Sequence, residues 1–274
     1  FAQEIRANST GEGPLHWLVG ASYQDGQGPQ ENTLELPVVL INADNNTLTK
    51  NYAVFGEVSY DLFGGKLVPL VGLRQYHDKR TFEDATSSIP TEKDVTTWRA
   101  NLSYVPTENL TMFITASTGF RAGIVQSQVQ VASLELAGVP AQVGLDPETS
   151  QNYEFGLKWR TPDRSLTVGL NLYQTEYTDL QTSTPGAIDG VDGFSNFGDG
   201  TSKGIDLEVN WATPIEGLSL NAVGNFNDSK FDRVEPAVQA ALPLFKPGSR
   251  LVNTIESNYR IDASYTRDIT SEIE

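Results

Sequence analysis

LDPETSQNYEFGLKWRTPDRSLTVGLNLYQTEYTDL, running from Leu145 to Leu180, decides how the rest of the chain is read. From Tyr153 to Trp159 the odd positions are Tyr153, Phe155, Leu157 and Trp159, with Glu154, Gly156 and Lys158 between them. That is the period-two alternation of a strand with one apolar face. The following arm repeats it, Leu166, Val168, Leu170 and Leu172 alternating with Thr167, Gly169, Asn171 and Tyr173. Thr161-Pro162-Asp163-Arg164 connects the arms, and its Pro and Asp are turn formers. The stretch predicts one antiparallel hairpin, tight at this turn and running at its other end into long segments rich in Gly, Ser and Asp.

The same pattern recurs on both sides. Phe1 to Ser9 is a short strand candidate, and Leu15, Trp17, Val19, Ala21 and Tyr23 share an apolar face before a polar loop expected to reach about Lys50. Tyr52, Val54, Val58, Tyr60 and Leu62 alternate up to Gly64-Gly65, after which Leu67, Pro69, Val71 and Leu73 return the chain. Pro69 cannot donate to a ladder, so a bulge or a compensating neighbour is expected there. A polar loop is expected from Thr81 to Lys93. Trp98, Ala100, Leu102 and Tyr104 then turn at Pro106–Asn109 into Met112, Ile114, Ala116, Thr118 and Phe120, read as one face. Between Ala122 and Glu148 a long loop is expected, with VQVASLELAGVP as a short strand or helical turn.

After the central hairpin a loop is expected from Thr182 to Asp199. Ile205, Leu207, Val209 and Trp211 follow, turning at Pro214–Gly217 into Leu218, Leu220, Ala222 and Phe226. A loop to about Thr254 precedes Tyr259, Ile261, Ala263 and Tyr265. The total is about eleven strands, joined alternately by short turns and by loops of about 12 to 28 residues, well beyond the usual hairpin length.

The sorting of short and long connections to opposite ends carries topology. Outer-membrane barrels have short periplasmic turns and long outer loops, and strands of roughly 10 to 12 residues, tilted, cross their apolar band. Trp17, Tyr60, Tyr104, Trp159 and Trp211 each lie near a short turn on the apolar face, as an interfacial girdle requires. The other face carries Glu57, Asp61, Arg74, Asp78, Arg99, Glu154, Lys158, Asp206, Glu208, Arg260 and Asp262. So many charges cannot pack against a second sheet, because an unpaired buried ion costs several kcal/mol. A polar lumen accommodates them. The fold class read from these features is all-β, a transmembrane antiparallel β-barrel.

Composition narrows the alternatives. Hydrophobic residues make up 38% of the 274, with no run near the roughly 18 apolar residues of a membrane helix. There is no cysteine and only His16 and His77, so neither a disulfide framework nor thiolate metal binding is available. A net charge of -16 without a basic cluster argues against nucleic acid. It fits solvated acidic loops, and also a cation-attracting field at the loop end. The chain opens at Phe1 without Met or secretory signal, which is read as a mature segment or a fragment. With two separated histidines and no nucleophile elbow, an enzyme is not expected.

Several blocks resemble the barrel of TonB-dependent outer-membrane receptors, particularly ferric-siderophore receptors. These are YAVFGEVSYDL from Tyr52, LVPLVGLRQYHDKR from Leu67, ASTGFRAG from Ala116, LDPETSQNYEFGLKW from Leu145, LNLYQTEYTDLQ from Leu170 and NFGDGTSKGIDLEVNW from Asn196. The resemblance covers most of the chain and implies part of a barrel of about 22 strands. Residues 1–274 would be barrel only, without a plug domain, a TonB-box-like segment or the closing C-terminal strands. The implied work is TonB-dependent uptake of a scarce chelate, most naturally a ferric siderophore, across a Gram-negative outer membrane. The implied partners are the chelate, the receptor's own plug, TonB and outer-membrane lipid, with no cofactor.

On that reading Arg121, in GFRAG at the loop end, is placed to contact an anionic chelate through charge-assisted hydrogen bonds, or to pair with a carboxylate or the plug. Arg74, Tyr76 and Arg80 have the same address and the same two readings. Phe194 and Phe197 are suited either to stack on an aromatic ligand or to anchor their loop to the wall. Asp189, Asp192 and Asp199, with their glycines, suggest a calcium loop or plain flexible loop. Two other functions stay open at this point: a smaller self-contained barrel acting as a passive porin or adhesin, and a soluble sugar-binding β protein with its apolar faces buried together.

Overall fold

A computed structural model describes residues 1–35, 40–84 and 87–267. They form one eleven-stranded antiparallel sheet whose spatial order is its sequence order. Strands β1 (Ala2–Asn8), β2 (Leu15–Glu35), β3 (Leu40–Tyr60), β4 (Leu67–Glu83), β5 (Ser88–Thr107) and β6 (Leu110–Arg121) lead to helix α1 (Gln128–Leu136). Next come β7 (Glu148–Arg160), β8 (Leu166–Thr184), β9 (Gly193–Ala212), β10 (Leu218–Val234), helix α2 (Pro236–Ala241) and β11 (Ser257–Tyr265). The sheet is not closed, and β1 and β11 are its edges.

Register brings the apolar faces together. Trp17 lies opposite Val58, Val58 opposite Val71 and Val71 opposite Ala100, and further along Leu157 faces Leu170 and Leu170 faces Leu207. A slip of one residue would turn a whole strand over, so this alignment pins the register. Nothing among the described residues covers the face so formed. Val54 is 57%, Leu73 59% and Ile114 54% exposed. A continuous apolar surface of this extent is costly in water and suits the hydrocarbon of a bilayer. The sugar-binding alternative needed a second sheet over this face, and the described residues form only one. Trp17, Tyr60, Tyr104, Trp159 and Trp211 stand exposed on it toward the turn end.

Pro69 pairs with Leu102 in unbroken register, so the expected bulge is absent. Its β3-side ladder ends one residue earlier, at Ser59 opposite Leu70. The missing N–H falls where no partner asks for it, which is the compensating-neighbour solution.

The loops expected to Lys50, from Thr81 to Lys93 and from Thr182 to Asp199 are largely strand. β2 and β3 pair as far as Glu35 opposite Leu40, and β4 and β5 as far as Glu83 opposite Ser88. Residues 36–39 and 85–86 of those expected loops lie outside the described residues. Polar cross-strand pairs hold the extension, such as Lys79–Glu92 at 2.6 Å and His77–Asp94 at 2.8 Å. Most residues of the extension are polar, with Asp78 and Phe82 buried among them, so the ladder persists while the hydrophobic alternation that reports it fades.

The two remaining loop-end connections, 122–147 and 235–256, fold into a small lobe. Leu134, Val139, Phe197, Phe231, Val234, Val238 and Leu251 form its buried core. Phe231 continues the alternation of Asn225, Asn227 and Ser229, so the lobe sits on the polar face. Register shifts after Tyr177, Leu180 and Phe231 mark bulges that bend these strands and re-aim side chains. The VQVASLELAGVP segment, with Gln128 before it, contains α1. Ser127 accepts from the Gln130 amide while Gln130 reaches back to Ser127, a capping box, and Gly138 at φ +79° follows the helix.

A candidate ligand-binding wall at the loop end

Strand β4 sets Arg74, Tyr76, Asp78 and Arg80 in a row on the polar face, because alternate residues of a strand share a side. Arg80 Nε donates to Asp78 Oδ2 at 2.8 Å, and that carboxylate is 4% exposed. Arg80 is therefore spent on a buried partner. Arg74 is exposed, and its guanidinium carbon lies 5.6 Å from the centre of the Tyr76 ring and 6.0 Å from that of Phe55. Both distances are those of cation–π contact.

Phe120 was expected on the outward face with Met112 and Ile114. The β5–β6 ladder ends at Arg99 opposite Ser117, where the Thr118 hydroxyl accepts from the Trp98 amide. Beyond that break, Phe120 tilts against Tyr76 with ring centres 4.9 Å apart. Phe120 still pairs with Thr149 on β7, so its ring reaches Tyr76 on the side where β5 no longer pairs with β6.

Arg121 donates to the Glu148 carboxylate and, at 3.1 Å, to the Gln181 carbonyl. Of its two readings, pairing within the wall is the one its contacts match. Phe197 is 3% exposed. Its ring meets Phe231 at 5.5 Å and Phe245 at 5.2 Å, so it anchors the lobe and presents no face to a ligand. Phe194 is half-buried, and its backbone exchanges two hydrogen bonds with the Gln126 side chain, at 2.7 and 2.9 Å. Asp199 is held by Arg233 at 2.7 Å. Asp189 and Asp192 stand apart from it in the turn between β8 and β9. The described residues contain no cluster of metal-ligating side chains.

Sequence reasoning missed the polar groups that fasten the lobe. Gln126, 1% exposed, also bonds the Gln142 carbonyl at 2.8 Å. Asn196 takes the Asp146 amide at 3.0 Å and donates to the carbonyls of Asp146 and Asp179 at 3.0 and 2.8 Å. Lys93 reaches Asp146 at 2.6 Å from the extended part of β5. Ser133, fully buried, bonds the Val191 carbonyl at 2.8 Å and the Ile188 amide at 3.0 Å. The spacing of Ser127 and Gln130 was a readable helix signal. Nothing marked Gln126 or Asn196, since each acts on backbone distant in sequence.

The site is thus one wall of an open mouth. An exposed arginine and accessible rings lie on β3, β4 and β6, and a well-fastened lobe lies over β8 to β10.

Comparison with known proteins agrees with this architecture. A family model described as TonB dependent receptor-like, beta-barrel, matches residues 3–271. No curated protein matches the chain in sequence. Among solved structures, the ferric yersiniabactin uptake receptor FyuA from Yersinia pestis is similar with a TM-score of 0.74 at 18% identity, over 98% of this chain and 40% of that one. The ferric preacinetobactin receptor BauA from Acinetobacter baumannii gives a TM-score of 0.71 at 14% identity, over 98% and 41%. A structure described as copper transporter OprC gives 0.65 at 13% identity, over 86% and 38%. The chain therefore spans about two-fifths of the length of FyuA and BauA. With an unclosed antiparallel wall, apolar outside and polar inside, and a family match along nearly its whole length, the chain belongs to the β-barrel of the TonB-dependent receptors, proteins of the Gram-negative outer membrane.

Proposed function

We propose that this chain is part of the barrel domain of a receptor that takes up an anionic ferric chelate, a siderophore, by TonB-dependent transport. The observation that carries the reading is the wall itself. Its lipid-facing side is apolar, its lumen side is polar, and its loop end is built into a fixed lobe instead of being left as loose loops. In such a receptor the loop end meets the chelate, a plug domain outside residues 1–274 blocks the lumen, and TonB acts on the plug. The lumen wall supplies a wetted path, and its role is transport without catalysis.

Arg74 and Tyr76 are the contacts proposed for the chelate on this chain. Arg80 and Arg121 hold the surrounding wall through Asp78 and Glu148, Phe197 anchors the lobe, and Phe194 lines its margin. A chelate suits these residues better than a bare soft metal ion, because the chain has no cysteine and one methionine to offer as sulfur donors.

The test is uptake of iron-55 siderophore by cells making the complete receptor, with and without a working TonB. Uptake that depends on TonB is expected. Uptake equal in both cells would overturn the reading and favour a passive pore.

A further inference from the structure

The lipid-facing side of the wall does not end at one level. Counted from the turn end, the outward residues of β3 are Tyr60, Val58, Gly56, Val54 and Tyr52, a run that closes on a ring in fifth place. The run of β2 from Leu15 closes in the same way on Tyr23, and that of β10 from Leu218 on Phe226. Between these borders the apolar runs stop one place short. In fifth place stand Gln75 on β4, Thr96 on β5, Gln151 on β7, Gln174 on β8 and Lys203 on β9.

Register makes the fifth places level. Val58, second on β3, lies opposite Val71, third on β4, because a hydrogen-bonded row across tilted strands climbs relative to the membrane. Tyr52 is therefore level with Gln75, although its partner in the ladder is His77. At the other border Trp211, first on β9, lies opposite Leu220, second on β10, which sets Lys203 level with Phe226. Strands β4 to β9 have strands of this chain on both sides, so the step is independent of whatever closes the barrel. It also lies on the face turned away from the lumen.

The lowered places are finished as a boundary. Interfacial aromatics follow the step, Tyr23 and Tyr52 standing in fifth place but Trp98 and Tyr153 in fourth. The polar side chains above are tied to one another and to that belt. The Thr96 hydroxyl donates to the Gln75 side-chain oxygen, the Gln151 amide to the Tyr153 hydroxyl and the Gln174 amide to Glu176. Each amide keeps further donors and acceptors that hydrocarbon would leave without partners, and headgroups or water supply them. We infer that β4 to β9 form a lipid-docking flank, where outer-leaflet headgroups are drawn down onto the amides and hydroxyls of the step. One outward place is two residues of about 3.3 Å rise, tilted near 40°, so the outer leaflet is thinner by about 5 Å along this flank than at its borders. The bilayer must deform between the two levels, and mismatch has a cost for each ångström.

The experiment sets one spin label at a time on the complete receptor in dilauroylphosphatidylcholine vesicles. Labels go to Tyr52→Cys, to the level position Gln75→Cys on the next strand, and to Gln174→Cys farther along the step. Residues 1–274 contain no competing cysteine, and any elsewhere in the receptor is first changed to serine. Relaxation by oxygen, which favours lipid, against a nickel chelate, which favours water, reads the depth. The Gln75 and Gln174 labels are expected about 5 Å nearer to water than the Tyr52 label. A second measurement fills the step with Gln75→Leu, Thr96→Leu and Gln174→Leu together. Native and filled receptors are unfolded by urea in dimyristoleoyl- and in dioleoylphosphatidylcholine, and the midpoint of the native receptor is expected to fall more in the thicker bilayer.

Equal depths for the Gln75 and Tyr52 labels overturn the inference, whatever the urea series gives. If the depths differ but native and filled receptors lose equal stability in the thicker bilayer, the polar places do not set its thickness, and the inference is overturned as well. Where the filled receptor fails to insert, the depth labels decide alone. No outcome bears on TonB-dependent uptake, which the cell assay tests by itself.

Discussion

The lipid-facing wall and the loop-end lobe are built from one chain by opposite rules. In the wall, large apolar residues such as Leu73 and Ile114 stay more than half exposed, and the backbone ladder holds the strands in place. In the lobe, Leu134, Phe231 and Val238 are sealed from solvent. The wall is stabilised by a solvent it does not contain, the bilayer. The lobe makes its own apolar interior and is, in that respect, a small soluble domain resting on a membrane protein. An exposed leucine therefore means different things in the two regions.

The difference is open to direct attack, beginning in the lobe. Phe231 is 2% exposed and shares its space with Phe197 and Phe245. Phe231→Ala is expected to cost the lobe about 3–5 kcal/mol, the range for deleting a buried ring. Limited proteolysis of the complete receptor should then cut within 122–147 or 235–256, while the barrel keeps its resistance to unfolding in cold detergent. Loss of the whole barrel would show that lobe and wall are one cooperative unit.

A change in the wall should do what it would not do on a water-facing surface. Ile114 is 54% exposed, opposite Leu102 and Phe155. On a water-facing surface an arginine there would shift stability by no more than about 0.5 kcal/mol. At mid-height on a lipid face it should cost about 2–4 kcal/mol. Folding of the variant into lipid vesicles, followed against urea, separates the two values.

The smallest effect lies at the join. The Lys93 ammonium hydrogen-bonded to Asp146 holds that carboxyl below its usual range, assisted by the Gln142 amide and opposed by partial burial. A depressed folded value means that the bond stabilises the native form fully above the ordinary carboxylate pKa, and that the gain disappears as pH falls through the folded value. The melting difference between the native protein and Asp146→Asn should therefore be flat from neutral pH to about 5 and shrink below about 4. A difference that instead shrinks between pH 7 and 5 would place the responsible titration elsewhere.

Legibility followed the same division. Trp17, Val58, Leu170 and Trp211 were assigned to their face from alternation alone, and the pairing agrees. The outer parts of β2 and β3, the last residues of β4 and the first of β5 were read as loops because Thr81, Glu92 and their neighbours are polar on both sides. Phe120 was grouped with Met112 and Ile114 by alternation, and its contact with Tyr76 was not foreseen, because nothing local marks where β5 stops pairing with β6. Phe197 was visible as an aromatic in a Gly-rich stretch, but its burial depends on Phe231 and Phe245, which no local pattern connects to it.

By itself the amino-acid order determined the all-β wall, its lipid and lumen faces, the end that carries the short turns, and the family. Each is written in short-range periodicity, since a strand between two unlike solvents must alternate. The tertiary structure decided the length of the outer hairpins, the packing of the lobe and the contact of Phe120 with Tyr76. Those depend on which distant residues pair or exclude water from one another, and a pattern of period two holds no record of that.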